Sequence, residues 1–320
     1  MSERDDMKGC CTPSRGSGEP AQNPPAFAPD VAPSRDNMQQ IPGGSFDMGG
    51  EDADGFPADG EGPIRSVETA SFLIDSCAVT TSEFARFVER TGYVTDAERY
   101  GWSFVFAAAV HPAAFGHIMD GRLPGTPWWL AVKGACWKCP DGPGSDWRDR
   151  PDHPVVHVSW NDAQAFASAC GRRLPTEAEW EKAARGGRNQ SRFPWGDELE
   201  PDGRHMCNVW QGRFPTDNTA ADGFLMTAPV RSFEPNGYGL YNTAGNVWEW
   251  CNDGWSPVWH VEETTATRVN PVGPSNDEAK VIRGGSYLCH ASYCNRYRLS
   301  ARTFNSPDSS AANTGFRCAL

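Results

Sequence analysis

Apolar residues recur at helical spacing in three stretches of the chain. In TTSEFARFVERTG, Phe84, Phe87 and Val88 form an i, i+3, i+4 stripe that Thr81 or Ser82 can cap and Gly92 stops. In SWNDAQAFASACG, Ala163, Phe166, Ala167 and Cys170 share one face and Gly171 ends it. In LPTEAEWEKAARGG, Thr176 and Glu179 make a capping box, with Trp180, Ala183 and Ala184 facing inward. Strand patterns are shorter. QIPGGSFDMGG (40–50) predicts a hairpin bent at Gly43-Gly44; AKVIRGGSY (279–287) and GFRCAL (315–320) read as strands, the last one inward and structural. EDADGFPADGEGP (51–63) reads as a flexible acidic loop. Residues 1–38 are rich in Pro, Ser, Gly, Asp and Asn without apolar periodicity, and a disordered tail is predicted there. No break in composition divides 39–320, so one irregular α+β domain with little regular secondary structure is expected.

Composition narrows the function. With 13 Trp, 33 Gly and 26 Pro in 320 residues, many turns are fastened by large aromatic anchors. A net charge of −12 without a Lys/Arg block argues against a nucleic-acid partner. The longest nearly apolar run, Phe104 to Val110, falls far short of the roughly 20 residues of a membrane span. The charged start MSERDDMKG has no apolar core of a signal peptide, so a cytoplasmic protein with reduced thiols is expected.

Eleven cysteines then become the candidate chemistry. Cys289 and Cys294, in RGGSYLCHASYCNRYRLSAR, would diverge by about 140° on an ideal helix but can converge on a bent loop. Two thiolates are too few for structural zinc and too soft for Ca²⁺ or Mg²⁺, whereas Cu(I) suits them. Arg296, Arg298 and Arg302 would favour the thiolate form. A disulfide, or two buried thiols, is the plainer reading. His153 and His157 have a metal-like spacing, but HPVVHVSW reads as extended, and four residues of strand span roughly 13 Å, so both are expected to serve as hydrogen-bonding histidines. Cys136 and Cys139 form a lone C-x2-C, read as a local disulfide or an incidental exposed pair. Two oxygen-rich stretches, NVWQGRFPTDNTAADGF (208–224) and YNTAGNVWEW (241–250), offer hard-cation ligands, although Asn and Gly there serve turns equally well.

Taken together, HPVVHVSWND, RLPTEAEWEKAARGG, FPWGDEL, NVWQGRFP, PNGYGLYNTAGNVWEW, RGGSYLCHASYCNRYR and NSPDSSAANTGFRC resemble the formylglycine-generating enzymes, the sulfatase-modifying factors, from about residue 40 to 320. The resemblance implies a C-type-lectin-like fold and a copper-dependent oxidoreductase of bacterial type. Such an enzyme uses O₂ and a thiol reductant to convert the Cys of Cys-x-Pro-x-Arg in an unfolded client sulfatase into Cα-formylglycine. It implies Cys289 and Cys294 as copper ligands, and Ser286, Trp248 and Tyr293 as lining of the oxygen and substrate pocket. Trp128, Ser103 and His290 fall in its peptide-binding cleft. It also implies two structural Ca²⁺ sites: Asn208, Val209, Asp222 and Phe224 in one, Asn242, Gly245, Val247 and Glu249 in the other. Of the two disulfides of secreted vertebrate members, Ala184 and Leu299 exclude one; Cys318 faces Ala167 in the other, with Cys170 one turn away as a substitute partner or a second buried thiol. The alternatives are a lectin-like binding module on the same scaffold, which would not need paired soft ligands, and a sulfoxide synthase, which would need a further His-bearing domain.

One motif stands apart. Cys11-Thr12-Pro13-Ser14-Arg15 satisfies Cys-x-Pro-x-Arg inside the chain's own tail. It reads as a self-substrate or competitor, as a copper-delivery arm using Cys10 and Cys11, or as a coincidence of a short pattern.

Overall fold

A computed structural model describes residues 12–15, 34–121 and 123–320. β1 (Met38–Ile41) and β2 (Gly44–Met48) do not pair with each other, contrary to the hairpin expected at 40–50. Each instead takes a later partner: β2 pairs antiparallel with β3 (Arg65–Thr69), and β1 with β4 (Phe72–Asp75). The Gly43-Gly44 bend thus passes the chain from one two-stranded ribbon to the next.

Three helices follow the sequence pattern. α1 (Thr81–Thr91) starts at a capping box of Thr80 and Glu83, one residue before the expected cap, and ends at Gly92 with φ of 68°. α2 (Asp96–Tyr100), not anticipated, has the same device in Thr95 and Glu98. α3 (Trp160–Ala169) is capped by Ser159 and Asp162, and α4 (Glu177–Arg185) by Thr176 and Glu179. Phe84, Phe87 and Phe166 pack with Phe316 in one aromatic cluster, so the helix stripes do face the core.

Between and after the helices lie short antiparallel pairs. β5 (Trp102–Phe106) pairs with β6 (Trp129–Lys133), and β7 (Gly212–Arg213) with β8 (Asp217–Asn218). The largest sheet has four strands. β9 (Trp248–Gly254) lies between β10 (Lys280–Arg283), antiparallel, and β12 (Thr314–Gly315), parallel, and β11 (Arg302–Asn305) flanks β10. The expected strand at 315–320 is regular only at its start. Its backbone nevertheless serves the core: the carbonyls of Phe316, Cys318 and Leu320 accept from Val79, Asp75 and Leu73.

Charges bind what hydrophobicity leaves open. α4 buries Glu177, Glu181 and Arg185 as well as Trp180. Arg283 bridges Glu177 (3.0 Å) and Glu181 (2.5 Å), Arg302 grips Glu177 at 2.6 and 2.7 Å, and Arg185 holds Glu181 at 2.7 Å. The 51–63 stretch is not the flexible loop expected. Arg298 chelates Glu61 at 2.6 and 2.7 Å and reaches Asp52 at 2.9 Å, while Arg296 holds Asp59 at 2.6 Å. The prediction of a disordered tail over 1–38 also needs correction at its described residues: Met38 opens β1, and Thr12–Arg15 lie on the folded domain. Residues 1–11 and 16–33, Cys10 and Cys11 among them, lie outside the described residues.

Candidate active site

Cys289 and Cys294 are both fully buried, and their Sγ atoms lie 3.5 Å apart, too far for a disulfide between the two; Cys294 is nevertheless disulfide-bonded, whereas Cys289 is a thiol. A tight turn brings them together. The Cys289 and Cys294 amides donate to the carbonyls of Ser286 and His290, so the segment folds back within five residues. Gly285 makes this return possible: its φ is +74°, and a Cβ there would meet the backbone of Arg296 and Tyr297 at 3.0 Å. The Ser286 amide donates to Cys289 Sγ at 3.3 Å, and its hydroxyl accepts from Asn313 Nδ2 at 3.0 Å. Of the three arginines expected to favour thiolates, Arg296 alone has a contact with the pair, Nη1 lying 3.7 Å from Cys294 Sγ. Arg298 and Arg302 are committed to Glu61 and Glu177. Among the described residues no third His, Cys, Asp or Glu completes a metal cluster here.

Aromatic rings wall this loop. Tyr293 stacks on Phe214 (4.9 Å between centroids) and meets Trp128 edge-on (4.9 Å), and Trp128 meets Phe214 at 5.0 Å. The Trp210 amide donates to the Cys289 carbonyl, and Trp210 packs on Phe214 and Phe106. Trp248 is buried in the same apolar cluster as both cysteines, its indole N–H without a partner. His290 is turned toward its own loop, Nδ1 lying 2.8 Å from the Ser292 hydroxyl and accepting from its amide.

Ser103, the other residue assigned to the cleft, is fully buried and sits 2.8 Å from both the Ser310 hydroxyl and His157 Nδ1. His157 Nε2 faces the Pro140 carbonyl at 2.7 Å, which can only accept, so Nε2 carries a proton. Burial pushes its pKa down to about 4. His153 pairs instead with the Thr227 hydroxyl, so the two histidines serve separate hydrogen bonds.

Beside Ser103 sits Arg15. Its guanidinium lies 4.2 Å from the ring centroid of Trp102 and 4.5 Å from that of Tyr100. Nη2 donates to the Trp102 carbonyl (2.6 Å) and the Ser310 hydroxyl (2.9 Å), and Nε to the Asp308 carbonyl (3.2 Å). Burial lowers the Arg15 pKa, opposed by the Asp308 charge. The pocket reads a planar cation through stacking and fixed acceptors, which an ammonium cannot match.

The two oxygen-rich stretches approach each other. Asn246 donates its amide to the Asn208 carbonyl, and Gly245, at φ +74°, passes so close that a Cβ would lie 2.3 Å from that oxygen. Asp222 accepts from the Val209 and Phe224 amides at 3.1 Å each, which draws the two ends of the 208–224 stretch together. In the second stretch the Asn242 side-chain oxygen is buried without a partner. Glu249 is largely engaged: Arg317 holds it at 2.6 and 2.7 Å and Trp180 Nε1 donates at 2.7 Å. Its Oε1, with one donor, retains a lone pair. Amide, carboxylate and carbonyl oxygens of this kind suit a hard cation.

The Sulfatase-modifying factor enzyme 1-like domain matches residues 24–320. The chain belongs to this family. A formylglycine-generating enzyme of Thermomonospora curvata is 65% identical, over 88% of this chain and 92% of its own; one of Streptomyces coelicolor is 56% identical over 92% and 94%. A Bos taurus protein named inactive C-alpha-formylglycine-generating enzyme 2 is 44% identical over 88% and 87%. Among solved structures, PvdO from Pseudomonas aeruginosa shares the fold with a TM-score of 0.63 and 25% identity, covering 93% of this chain and 99% of that one.

Within this sulfatase-modifying fold, several residues of the site had no strong sequence signal. Asn313 and Ser310 lie in a polar run, NSPDSSAANTG, and Tyr100 on the short α2; their partners are distant in sequence, so no periodicity announces them. Cys136 and Cys139 are free thiols joined through their backbones. Cys170 and Cys318 are free as well, so the substitute disulfide does not form. Among the described residues no helix is long and apolar enough to cross a membrane.

Proposed function

We propose that the protein is a formylglycine-generating oxidoreductase that converts the Cys of a Cys-x-Pro-x-Arg segment in a sulfatase chain into Cα-formylglycine. The family includes a member named inactive, so membership does not by itself separate an enzyme from a binding module. The carrying observation is the pair of buried sulfurs 3.5 Å apart beneath an aromatic wall, a soft donor set that a lectin-like surface would not need. Once the Cys294 disulfide is reduced, the two sulfurs, without a third protein ligand among the described residues, fit Cu(I) and leave room for a client thiol. When bound, Cu(I) would recruit that thiol and carry its reaction with O₂.

The chain's own residues do the rest. Cys289 and Cys294 would hold the metal, and the Ser286 amide, hydrogen-bonded to Cys289 Sγ, stabilises negative charge on sulfur. Asn313 fixes the Ser286 hydroxyl, which then presents its own proton into the site. Trp128, Tyr293 and Phe214 exclude water from the reacting thiol. The pocket of Tyr100, Trp102, Ser310 and the Asp308 carbonyl takes the arginine of the motif. In balance, one client Cys, one O₂ and two reductant thiols give one aldehyde, one sulfide as H₂S, one disulfide and one water. Ca²⁺ at Asn208, Val209, Asp222 and Phe224, and at Asn242, Gly245, Val247 and Glu249, would fasten loops that lack strands of their own. A cytoplasmic setting suits the free thiols at Cys77, Cys136, Cys139, Cys170, Cys207 and Cys318.

The test is mass spectrometry of a Cys-x-Pro-x-Arg peptide incubated with protein, Cu(I), O₂ and a thiol reductant. Conversion to the aldehyde that needs copper and both Cys289 and Cys294 supports the reading. A folded, copper-loaded protein that leaves the peptide unchanged refutes it.

A further inference from the structure

Thr12–Arg15 is seated in the cleft just described, and the contacts fall on the positions that Cys-x-Pro-x-Arg fixes. Pro13 is buried and its carbonyl accepts from Asn305 Nδ2 at 3.0 Å. The Arg15 amide donates to the Ser309 hydroxyl at 2.9 Å, in addition to the guanidinium contacts with Trp102, Asp308 and Ser310. The two variable positions make little polar contact. Ser14 is exposed, with one contact at 3.3 Å to the Ser306 hydroxyl, and the buried Thr12 packs with its hydroxyl lacking a hydrogen-bond partner. The host surface is a single stretch, Asn305–Ser310, together with Tyr100 and Trp102. Three residues beyond Ser310, Asn313 binds Ser286 of the cysteine loop, so one continuous segment joins the arginine seat to the cysteine pair.

We infer that the chain's own Thr12–Arg15 segment is an intramolecular occupant of the client cleft, so that a sulfatase segment binds only as this tail leaves. The inference rests on the proposed function for the identity of the client, but the docking itself does not. A ligand tethered by a short linker acts at an effective concentration of order 1 mM. Such an occupant raises the apparent KM for an outside peptide by the ratio of that concentration to the motif's own dissociation constant, about tenfold where the constant is a tenth of it. The tail would then set a threshold that only clients making further contacts overcome.

The experiment compares the full chain with its Arg15→Ala and Ser14→Ala variants, using a free Cys-Thr-Pro-Ser-Arg peptide. Arg15→Ala should lower the apparent KM and the Kd of the peptide on the order of tenfold with kcat unchanged, and Ser14→Ala should leave both as they are. Amide hydrogen exchange across 305–313, read without any peptide, should speed up in Arg15→Ala alone. Equal exchange in all three proteins would overturn the docking, whatever the enzyme does. Faster exchange with unchanged peptide affinity would overturn the competition. Faster exchange with a peptide that no variant converts would sustain the docking while refuting the proposed chemistry.

Discussion

A few residues separate two regions built on opposite terms. Arg283, at the end of β10, joins Glu177, Glu181 and Arg302 in a buried lattice of ion pairs; Ser286, one turn onward, opens the cysteine loop. The lattice is directional. Each carboxylate accepts two or more charged donors, which fixes α4 against β10 and β11 far more tightly than apolar contact alone. The cysteine loop has few such fixtures: two sulfurs, one serine, and rings that pack without specifying a partner atom. Rigidity is therefore placed beside the site, leaving the sulfurs to chemistry.

Four measurements would break or sharpen that contrast. Cys294→Ala should abolish peptide conversion and Cu(I) binding, followed with a competing chelator, while the unfolding transition moves little. A large loss of stability would mean that the loop is a structural element after all. Glu177→Gln should do the reverse. It leaves the Arg302 guanidinium without its bidentate partner, and such breaks cost about 3–5 kcal/mol, read from denaturant unfolding. Asn313→Ala, which frees the Ser286 hydroxyl, should cost only about 1 kcal/mol of stability and lower kcat more than it changes KM or copper affinity.

In acid the two regions should respond in different windows. Burial alone would raise the Glu177 pKa, but Arg302 and Arg283 outweigh it and bring it down to about 2 from an ordinary 4.5. Its contribution is complete above pH 4.5 and is lost as pH falls toward 2. His157 behaves as a buried neutral base with a pKa of about 4 against an ordinary 6.5. The unfolded chain takes its proton first, so stability falls as pH drops from 6.5 toward 4, by up to about 1.4 kcal/mol per unit. Unfolding followed against pH in His157→Gln should lack the upper slope and keep the lower one. A single slope lost in both windows would show that the cleft and the lattice unfold as one unit.

The sequence announces what is local. Capping boxes and apolar stripes place α1, α3 and α4, and RGGSYLCHASYC marks the cysteine loop, because the residues that decide these features are neighbours. It does not announce that Glu177 and Glu181 are buried, since their partners Arg283 and Arg302 lie more than a hundred residues away. A separation of a few tens of residues already hides the 40–50 strands' real partners, and one of more than two hundred hides the anchoring of 51–63 by Arg296 and Arg298. The arginine pocket escapes for a related reason. It is assembled from Tyr100 and Trp102 on one side and a serine-rich loop on the other, and polar loops carry no period. Cys11–Arg15 is visible as a motif, but the seat of Thr12–Arg15 is not.

The crossing of the last strand has a consequence for synthesis. Arg317 fills the space between Glu249 and the carbonyl of Asp75, 242 residues earlier in the chain. At translation rates of about 5–20 residues per second, β4 waits roughly 12–48 seconds on the ribosome for that partner. Through that interval the edge of β4 that later donates to the Cys318 and Leu320 carbonyls has no partner from its own chain.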